Sequence, residues 1–259
     1  MEGVDPVAAT GFTAAADVYE RARPSYPPEA IDWLAERVDL RPGRAVVDVG
    51  AGTGKLTRLL VPTGAQVIAV EPLPAMLAKL VEAAPGAEAL LGTAEAIPLE
   101  DASADVITVA QAFHWFDHDR ALPELRRVLR ADGFLVLVWN MRDLDDPVQA
   151  AVEELIAPAR ATANAQRADT WRPPLQRSPR FGPLETWRFP FAQQFTADDL
   201  CDRVRSTSFV AAMDDEEREQ LLISVRELVR DVPEPFPYHY VTEIFVAPVA
   251  GSDGARRRG

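Results

Sequence analysis

The chain has 259 residues, of which 47% are hydrophobic and 26% charged, a composition typical of a globular protein. Its 27 lysine and arginine residues against 40 aspartate and glutamate residues give a formal net charge of −13, which argues against binding to the phosphate backbone of nucleic acids. Cys201 is the only cysteine, which excludes an intramolecular disulfide, and no apolar stretch reaches the ~18 residues of a membrane span. We expect a cytoplasmic protein.

Strand and helix patterns alternate through the middle of the chain. Apolar runs without polar alternation predict buried parallel strands at 45–49, 66–70, 105–111 and 134–139. Between them, the pattern predicts helices at 55–60, 75–83 and 120–129, ended by Gly64, Gly86 and Gly133. This order predicts a doubly wound α/β fold with a parallel sheet and right-handed crossovers.

The flanking segments are expected to complete this domain. The sequence predicts a helical arm over residues 12–38, interrupted by prolines, and a helix over residues 148–165. The segment after this second helix either covers a site or forms a loop on the surface. Asp214 and Glu217 resemble a capping pair that opens a helix, and 185–191 and 238–246 predict strands at the end of the sheet. We divide the chain into an N-terminal helical arm or lid (1–40), a core (41–145), a cover (146–181), the rest of the α/β domain (182–250) and a disordered tail (251–259).

A glycine-rich turn links the first predicted strand to the first predicted helix. Gly50, Gly52 and Gly54 let a ligand approach the backbone at the sheet edge where open α/β folds bind ligands. The dinucleotide pattern GxGxxG needs a small residue where Lys55 stands, so the turn argues against a nicotinamide cofactor. Glu71 closes the second strand, where a carboxylate can accept hydrogen bonds from both hydroxyls of a ribose.

These residues resemble the motifs of the class I S-adenosylmethionine-dependent methyltransferases, in the branch that acts on small molecules. The resemblance covers about residues 45–142 and includes the segments 48–54, 92–95 and 111–116. It implies a Rossmann-like, mostly parallel seven-stranded sheet with helices on both faces. It also implies S-adenosylmethionine as cofactor, S-adenosylhomocysteine as product and no metal.

The resemblance also implies which residues contact the cofactor. The glycine turn would hold its methionine end, Glu71 its ribose and the segment 92–95 its adenine. Many relatives have aspartate at the position of Thr93, which leaves the backbone of Ala94 to bond the adenine. Tyr19 and Arg23 would reach the methionine carboxylate; the alternative is that both lie on an exposed helix without contacting the cofactor. The full set is Tyr19, Arg23, Asp48, Gly50, Ala51, Gly52, Thr53, Gly54, Glu71, Pro72, Met76, Thr93, Ala94, Glu95, Gln111 and Ala112.

The methyl site is expected where the fourth strand ends. Three aromatic residues lie there, Phe113, Trp115 and Trp139. They favour a flat or apolar acceptor and could stabilise a sulfonium, although core packing alone could explain each of them. We predict that His114 removes a proton from the acceptor, with a positioning role as the alternative and Tyr26 and Asp117 as the next candidates. His118 lies four residues on, but sequence places no third metal ligand.

We predict methylation of an aromatic or indole-like natural product of secondary metabolism at carbon, nitrogen or oxygen. The alternative is a carboxylate O-methyltransferase for a small organic acid, which Arg23, Arg142 or Arg172 could hold. A non-catalytic cofactor-binding module and a nicotinamide oxidoreductase are further alternatives. We expect a small-molecule acceptor, no nucleic acid or membrane partner, and a monomer or homodimer.

Overall fold

The computed structural model describes residues 23–162 and 171–251. Its seven strands are β1 (Ala45–Val49), β2 (Gln66–Glu71), β3 (Glu88–Leu91), β4 (Ala104–Ala110), β5 (Leu129–Arg142), β6 (Glu185–Phe195) and β7 (Phe236–Pro248). Its α-helices are α1 (Pro28–Arg37), α2 (Thr57–Leu60), α3 (Pro74–Ala83), α4 (His118–Val128), α5 (Pro147–Thr162), α6 (Arg172–Arg177), α7 (Ala197–Arg205), α8 (Ser208–Ala211) and α9 (Asp215–Leu228). Short 3₁₀ turns cover Val61–Thr63 and Phe113–Trp115.

All seven strands form one sheet in the order β3-β2-β1-β4-β5-β7-β6. The first five pair in parallel, while β7 runs antiparallel to both β5 and β6. The predicted α/β fold with a mostly parallel sheet is therefore confirmed. No helix among the described residues combines the length and apolarity needed to cross a membrane.

The central strands are buried on both faces, as their continuous apolar character predicts. Along β1, Val47 and Val49 face a core layer that includes α4 and α6, while Val46 faces the opposite layer with α1 and α2. This alternation follows from the two-residue period of a strand. A third cluster joins α5, α7 and α9 to the ends of β6 and β7.

One expectation from the sequence is wrong, and a second is not confirmed. Gly133 does not end a helix, because α4 stops at Val128 and Gly133 lies within β5. A Cβ at Gly133 would stand 2.8 Å from the carbonyl oxygen of Asp105, so close backbone packing explains the glycine. The helical arm expected over 12–38, with interruptions at its prolines, is not confirmed: residues 23–27 are not helical and α1 begins at Pro28. Residues 12–22 lie outside the described residues.

Other boundaries behave as predicted. The first 3₁₀ turn ends at Gly64, whose φ of +77° is the left-handed conformation that glycine favours. Asp214 caps α9 by accepting a hydrogen bond from the Glu217 amide. From Trp171 onward the expected cover segment packs into the core layer beside α4, and its role over a site stays a prediction. The tail beyond Gly251 lies outside the described residues.

Candidate active site

A cavity opens at the carboxyl ends of β1, β4 and β5. Here β1 has β2 on one side and β4 on the other, so the connections leave in opposite directions and create the crevice in which open α/β sheets bind ligands. Four chain segments and one distant helix line the cavity. The lining residues are Arg23, Pro24, Tyr26, Gly50, Ala51, Gly52, Thr53, Lys55, Leu56, Ala110, Gln111, Asn140 and Arg203.

The glycine turn forms the floor of this cavity. Gly50 has a φ of +69°, and a Cβ there would lie 2.9 Å from the Cβ of Ala112, so only glycine fits. Gly52 has a φ of +59° with open space where a side chain would point, so a ligand can approach its backbone. Gly54, also at positive φ, packs against Leu80 and does not line the cavity.

Asp48 supports the turn from below. Its buried carboxylate accepts hydrogen bonds from the hydroxyls of Thr57 at 2.6 Å and Thr108 at 2.9 Å. Burial raises the pKa of Asp48 to about 6, against the lowering effect of these hydrogen bonds. Because Asp48 joins β1, α2 and β4 beneath the turn, it can position the turn without touching a ligand, and its expected cofactor contact stays a prediction.

Glu71 faces the turn from the end of β2. Its carboxylate accepts hydrogen bonds from the Gly52 amide at 2.8 Å and the Leu73 amide at 3.0 Å. Burial raises the pKa of Glu71 to about 6, and the charge of Asp48 adds to this rise. The structure therefore brings a buried carboxylate and the open glycine backbone together. Pro72 follows Glu71 directly, and Met76 is buried in α3.

The segment expected beside the adenine is tied to the turn that follows β4. Thr93 forms an isolated bridge with Ala96, and Ala94 is buried. The Glu95 carboxylate accepts a hydrogen bond from the Asp117 amide at 3.0 Å. Asp117 itself caps α4 by accepting from the Asp119 amide, so a structural role accounts for this candidate.

The residues of the turn after β4 lie partly at the cavity and partly in the core. Gln111, at a φ of +58°, lines the cavity, whereas Phe113 is fully buried in the core. The His114 ring lies 4.6 Å from that of Trp115 and 5.3 Å from that of Trp139, measured between centroids. Of the described residues that line the cavity, none belongs to this aromatic cluster, so its predicted contact with acceptor stays a prediction.

His118 holds the turn in place, because its Nε2 lies 3.0 Å from the carbonyl oxygen of Phe113. Among residues 23–162 and 171–251, no three histidine, cysteine, aspartate or glutamate side chains group as a metal site would require.

The residues before α1 close one side of the cavity. Arg23 donates a hydrogen bond to the carbonyl oxygen of Ser206 at 3.0 Å, and Tyr26 is buried against the core. Asn140 donates to the carbonyl oxygen of Ser25 at 3.0 Å and accepts from the Thr242 hydroxyl at 2.6 Å. Tyr19 lies outside the described residues.

Sequence reasoning missed Arg203, which reaches the cavity from α7. Its neighbours Leu200 and Val204 on the same helical face are buried, so an arginine within an apolar stripe was the available signal. Arg142, the predicted contact for an acid, lies outside the cavity lining and pairs with Glu153, which also pairs with Arg160. Burial lowers the pKa of Arg142.

Comparisons with known proteins agree on one family. A protein-family model described as a methyltransferase domain matches residues 47–137. An uncharacterised methyltransferase of Mycobacterium tuberculosis is 42% identical over 222 residues, which are 86% of this chain and 86% of the relative. A malonyl-[acyl-carrier protein] O-methyltransferase of Methylococcus capsulatus is 43% identical over 101 residues, 36% of each chain. A solved structure from Anaeromyxobacter dehalogenans, provisionally named a type II methyltransferase, has a TM-score of 0.68 at 26% identity and covers 88% of this chain and 97% of its own.

Proposed function

This chain belongs to the class I S-adenosylmethionine-dependent methyltransferases, and we propose that it moves the cofactor's methyl group to a small-molecule acceptor. The observation that carries the proposal is the meeting of Glu71 with the open backbone of Gly52 at the edge of the sheet. We propose a cytoplasmic protein with no nucleic-acid or membrane partner, in keeping with its acidic net charge of −13.

The residues around the cavity fit the cofactor. The Glu71 carboxylate would bind the ribose hydroxyls, and the glycine turn would accommodate the methionine end because no side chain occupies the open side of Gly52. Arg23, which lines the same cavity, would bind the methionine carboxylate. When bound, the cofactor supplies an electrophilic methyl group on a sulfonium, so the protein's tasks are alignment and exclusion of water.

The chain's own residues can perform both tasks. Tyr26 and Leu56 present buried apolar surface to the cavity and limit the access of water. Gln111 and Asn140 place polar groups at the ends of β4 and β5, where they can orient an acceptor by hydrogen bonds. Asn140 lies on β5 and Gln111 directly follows β4, so the rigidity of the central sheet favours a reproducible geometry.

For the acceptor we propose an aromatic or indole-like natural product methylated at carbon, nitrogen or oxygen. The aromatic rings near the ends of β4 and β5 support this choice, with Trp139 93% buried and its indole Nε1 making no hydrogen bond to the described residues. His114, in the turn between these strands, would take the proton that such an acceptor releases.

The second candidate is methyl ester formation on a small organic acid. It is favoured by the arginines at the cavity and by the name of the Methylococcus capsulatus relative. In this reaction a lone pair on the carboxylate oxygen forms the O–CH₃ bond, while the S–CH₃ bond breaks and leaves its electron pair on sulfur. No proton moves, so this chemistry needs no base.

Calorimetry with S-adenosylhomocysteine tests the proposed function. We expect wild-type protein to bind this product and not NAD. Glu71→Ala should weaken binding by about 1.5–3 kcal/mol, or about 10- to 150-fold, the scale of hydrogen bonds to a charged group. The matched control is Glu88→Ala, which removes an exposed carboxylate from β3 and should leave affinity unchanged. Equal affinities in a folded Glu71→Ala and the wild type would refute the assignment.

A further inference from the structure

The guanidinium of Arg203 is buried, and its hydrogen-bond partners among the described residues are neutral. The residue is 8% exposed, its Nε donates to the Tyr240 hydroxyl at 3.2 Å, and its Nη1 lies 3.5 Å from the Thr207 hydroxyl. Among the described residues, no carboxylate lies within salt-bridge distance of Arg203. Burying a charge without an opposite charge is costly, so such an arginine points to a ligand that supplies the missing anion.

Two further basic residues line the cavity beside Arg203. Arg23 and Lys55 also line it, whereas no aspartate or glutamate is found among its described lining residues. Low-dielectric walls around charges of one sign strengthen their attraction for an oppositely charged ligand. The cavity is therefore suited to an anion.

A second guanidinium lies beside Arg203. Tyr240, which accepts its hydrogen bond, stands opposite Arg142 in the antiparallel pairing of β5 and β7, so both side chains project from the same face. The positive charge of Arg203 adds to burial in lowering the pKa of Arg142. Arg142 and Arg160 share the single carboxylate of Glu153, so this carboxylate cannot balance both guanidinium charges and does not serve Arg203.

The order of the strands places Tyr240, the hydrogen-bond partner of Arg203, away from the ribose site. Glu71 ends β2, the glycine turn follows β1, and Tyr240 lies on β7, three strands beyond β1 on the side away from β2. Three strand spacings amount to about 14 Å. The anion bound by Arg203 would thus belong to the methyl acceptor and not to the cofactor.

We propose that Arg203 binds a carboxylate of the methyl acceptor and so selects small organic acids. This proposal rests on the proposed function and narrows its substrate class. The carboxylate held by Arg203 is an anchor and not the methylated group, because pairing with a guanidinium lowers the nucleophilicity of the carboxylate oxygens. The methyl group goes to another atom of the same acid.

The test titrates two matched ligand pairs into protein saturated with S-adenosylhomocysteine. The pairs are indole-3-acetate with indole-3-acetamide, and succinate with succinamide, so that each acid is compared with a neutral analogue of similar shape. We expect at least one acid to bind about tenfold or more tightly than its amide. Arg203→Gln should abolish this preference, and Arg203→Lys, which keeps the charge but loses the planar fork, should retain part of it.

Arg205→Gln is the matched control. Arg205 lies on the same helix but is half-exposed and pairs with Asp202 and Glu219, so its loss should leave the preference intact. Should Arg203→Gln fail to fold, as judged by its melting curve, a reduced preference in Arg203→Lys supports the proposal and an unchanged one overturns it.

Three results would overturn the inference. They are equal binding of acids and amides to the wild type, an unchanged preference in Arg203→Gln, and a large loss of S-adenosylhomocysteine affinity in Arg203→Gln, which would assign Arg203 to the cofactor. The initial titration with S-adenosylhomocysteine tests the proposed function separately, since acid selection can fail while cofactor binding succeeds.

Discussion

The two sides of the cavity are built from different kinds of sequence. On the cofactor side, the glycine turn and Glu71 lie within one short stretch of the chain that folds as a strand, a turn, a helix and a strand. On the acceptor side, contacts join distant segments: Asn140 reaches Ser25 across 115 positions and Thr242 across 102. The first arrangement is local and the second depends on the whole fold.

This contrast suggests how the molecule divides its tasks. A turn that must admit the same cofactor needs glycines at fixed positions, because only they adopt its positive φ angles and leave the backbone open. The opposite wall is assembled from Asn140 on β5, Arg203 on α7 and Tyr26 before α1. Such side chains can change without disturbing the cofactor turn, so this wall is where selection of the acceptor belongs.

The largest expected effect concerns His114, which lies in the turn between the two sides. If its imidazole accepts the acceptor's proton, His114→Ala should lower kcat by about 10²–10⁴ with S-adenosylhomocysteine affinity unchanged. His114→Gln should restore little, because an amide can hydrogen-bond but cannot take the proton. Rates would be measured with the acid that binds most tightly in the ligand comparison.

Near-normal kcat in both His114 variants would contradict a base role. A raised KM alone would make His114 a positioning residue, and a reaction without any base would fit methyl ester formation. Tyr26 would then be the next candidate to test, because it lines the cavity, whereas Asp117 caps α4 outside it.

The cofactor side was predictable because its signals are local. The strand at Ala45–Val49, the turn after it and the acid closing β2 each follow from a few consecutive residues. The same reasoning failed at Gly133, where a glycine required by the nearby Asp105 carbonyl resembled a helix stop. It also passed over β3, whose partly exposed residues lack the apolar run of the central strands.

The acceptor side was not predictable in the same way. Arg142 was identified as a candidate for holding an acid, but its pairing with Glu153 on α5 depends on how the helix packs against β5. Arg203 gave only the weak signal of a charge on an apolar helical stripe, and its place at the cavity depends on the register of β7. Long-range packing decides both positions, and sequence spacing does not encode it.

A pH dependence should sharpen the assignment on the cofactor side. The pKa of Glu71 is raised to about 6 in the free protein, and accepting hydrogen bonds from ribose hydroxyls favours its ionised form. Binding then releases a proton below pH 6, so S-adenosylhomocysteine affinity should rise about tenfold from pH 5 to pH 7 and level off above.

Two variants identify the group responsible for this pH profile. Glu71→Gln removes the titrating carboxylate and should flatten the profile. Asp48→Asn removes a neighbour whose pKa is also raised to about 6 but which lies beneath the turn, and it should keep most of the slope. A flat profile in Asp48→Asn with a normal slope in Glu71→Gln would mean that Asp48, and not Glu71, is the group whose titration controls the affinity.

The smallest expected effect concerns the link between the acceptor wall and the residues before α1. Asn140→Ala removes the donor to Ser25 and the acceptor for Thr242, and should cost about 1 kcal/mol of unfolding free energy. Because the link to Ser25 is lost, amide hydrogen exchange at Arg23, Ser25 and Tyr26, the residues of this segment that carry a backbone N–H, should become faster. Thr242→Val is the matched control, since it removes only the bond between β7 and Asn140 and should leave exchange at these three residues unchanged. Equal exchange rates in Asn140→Ala and wild type would mean that Arg23 and the packing of Tyr26 hold this side of the cavity closed, so that Asn140 serves the acceptor alone.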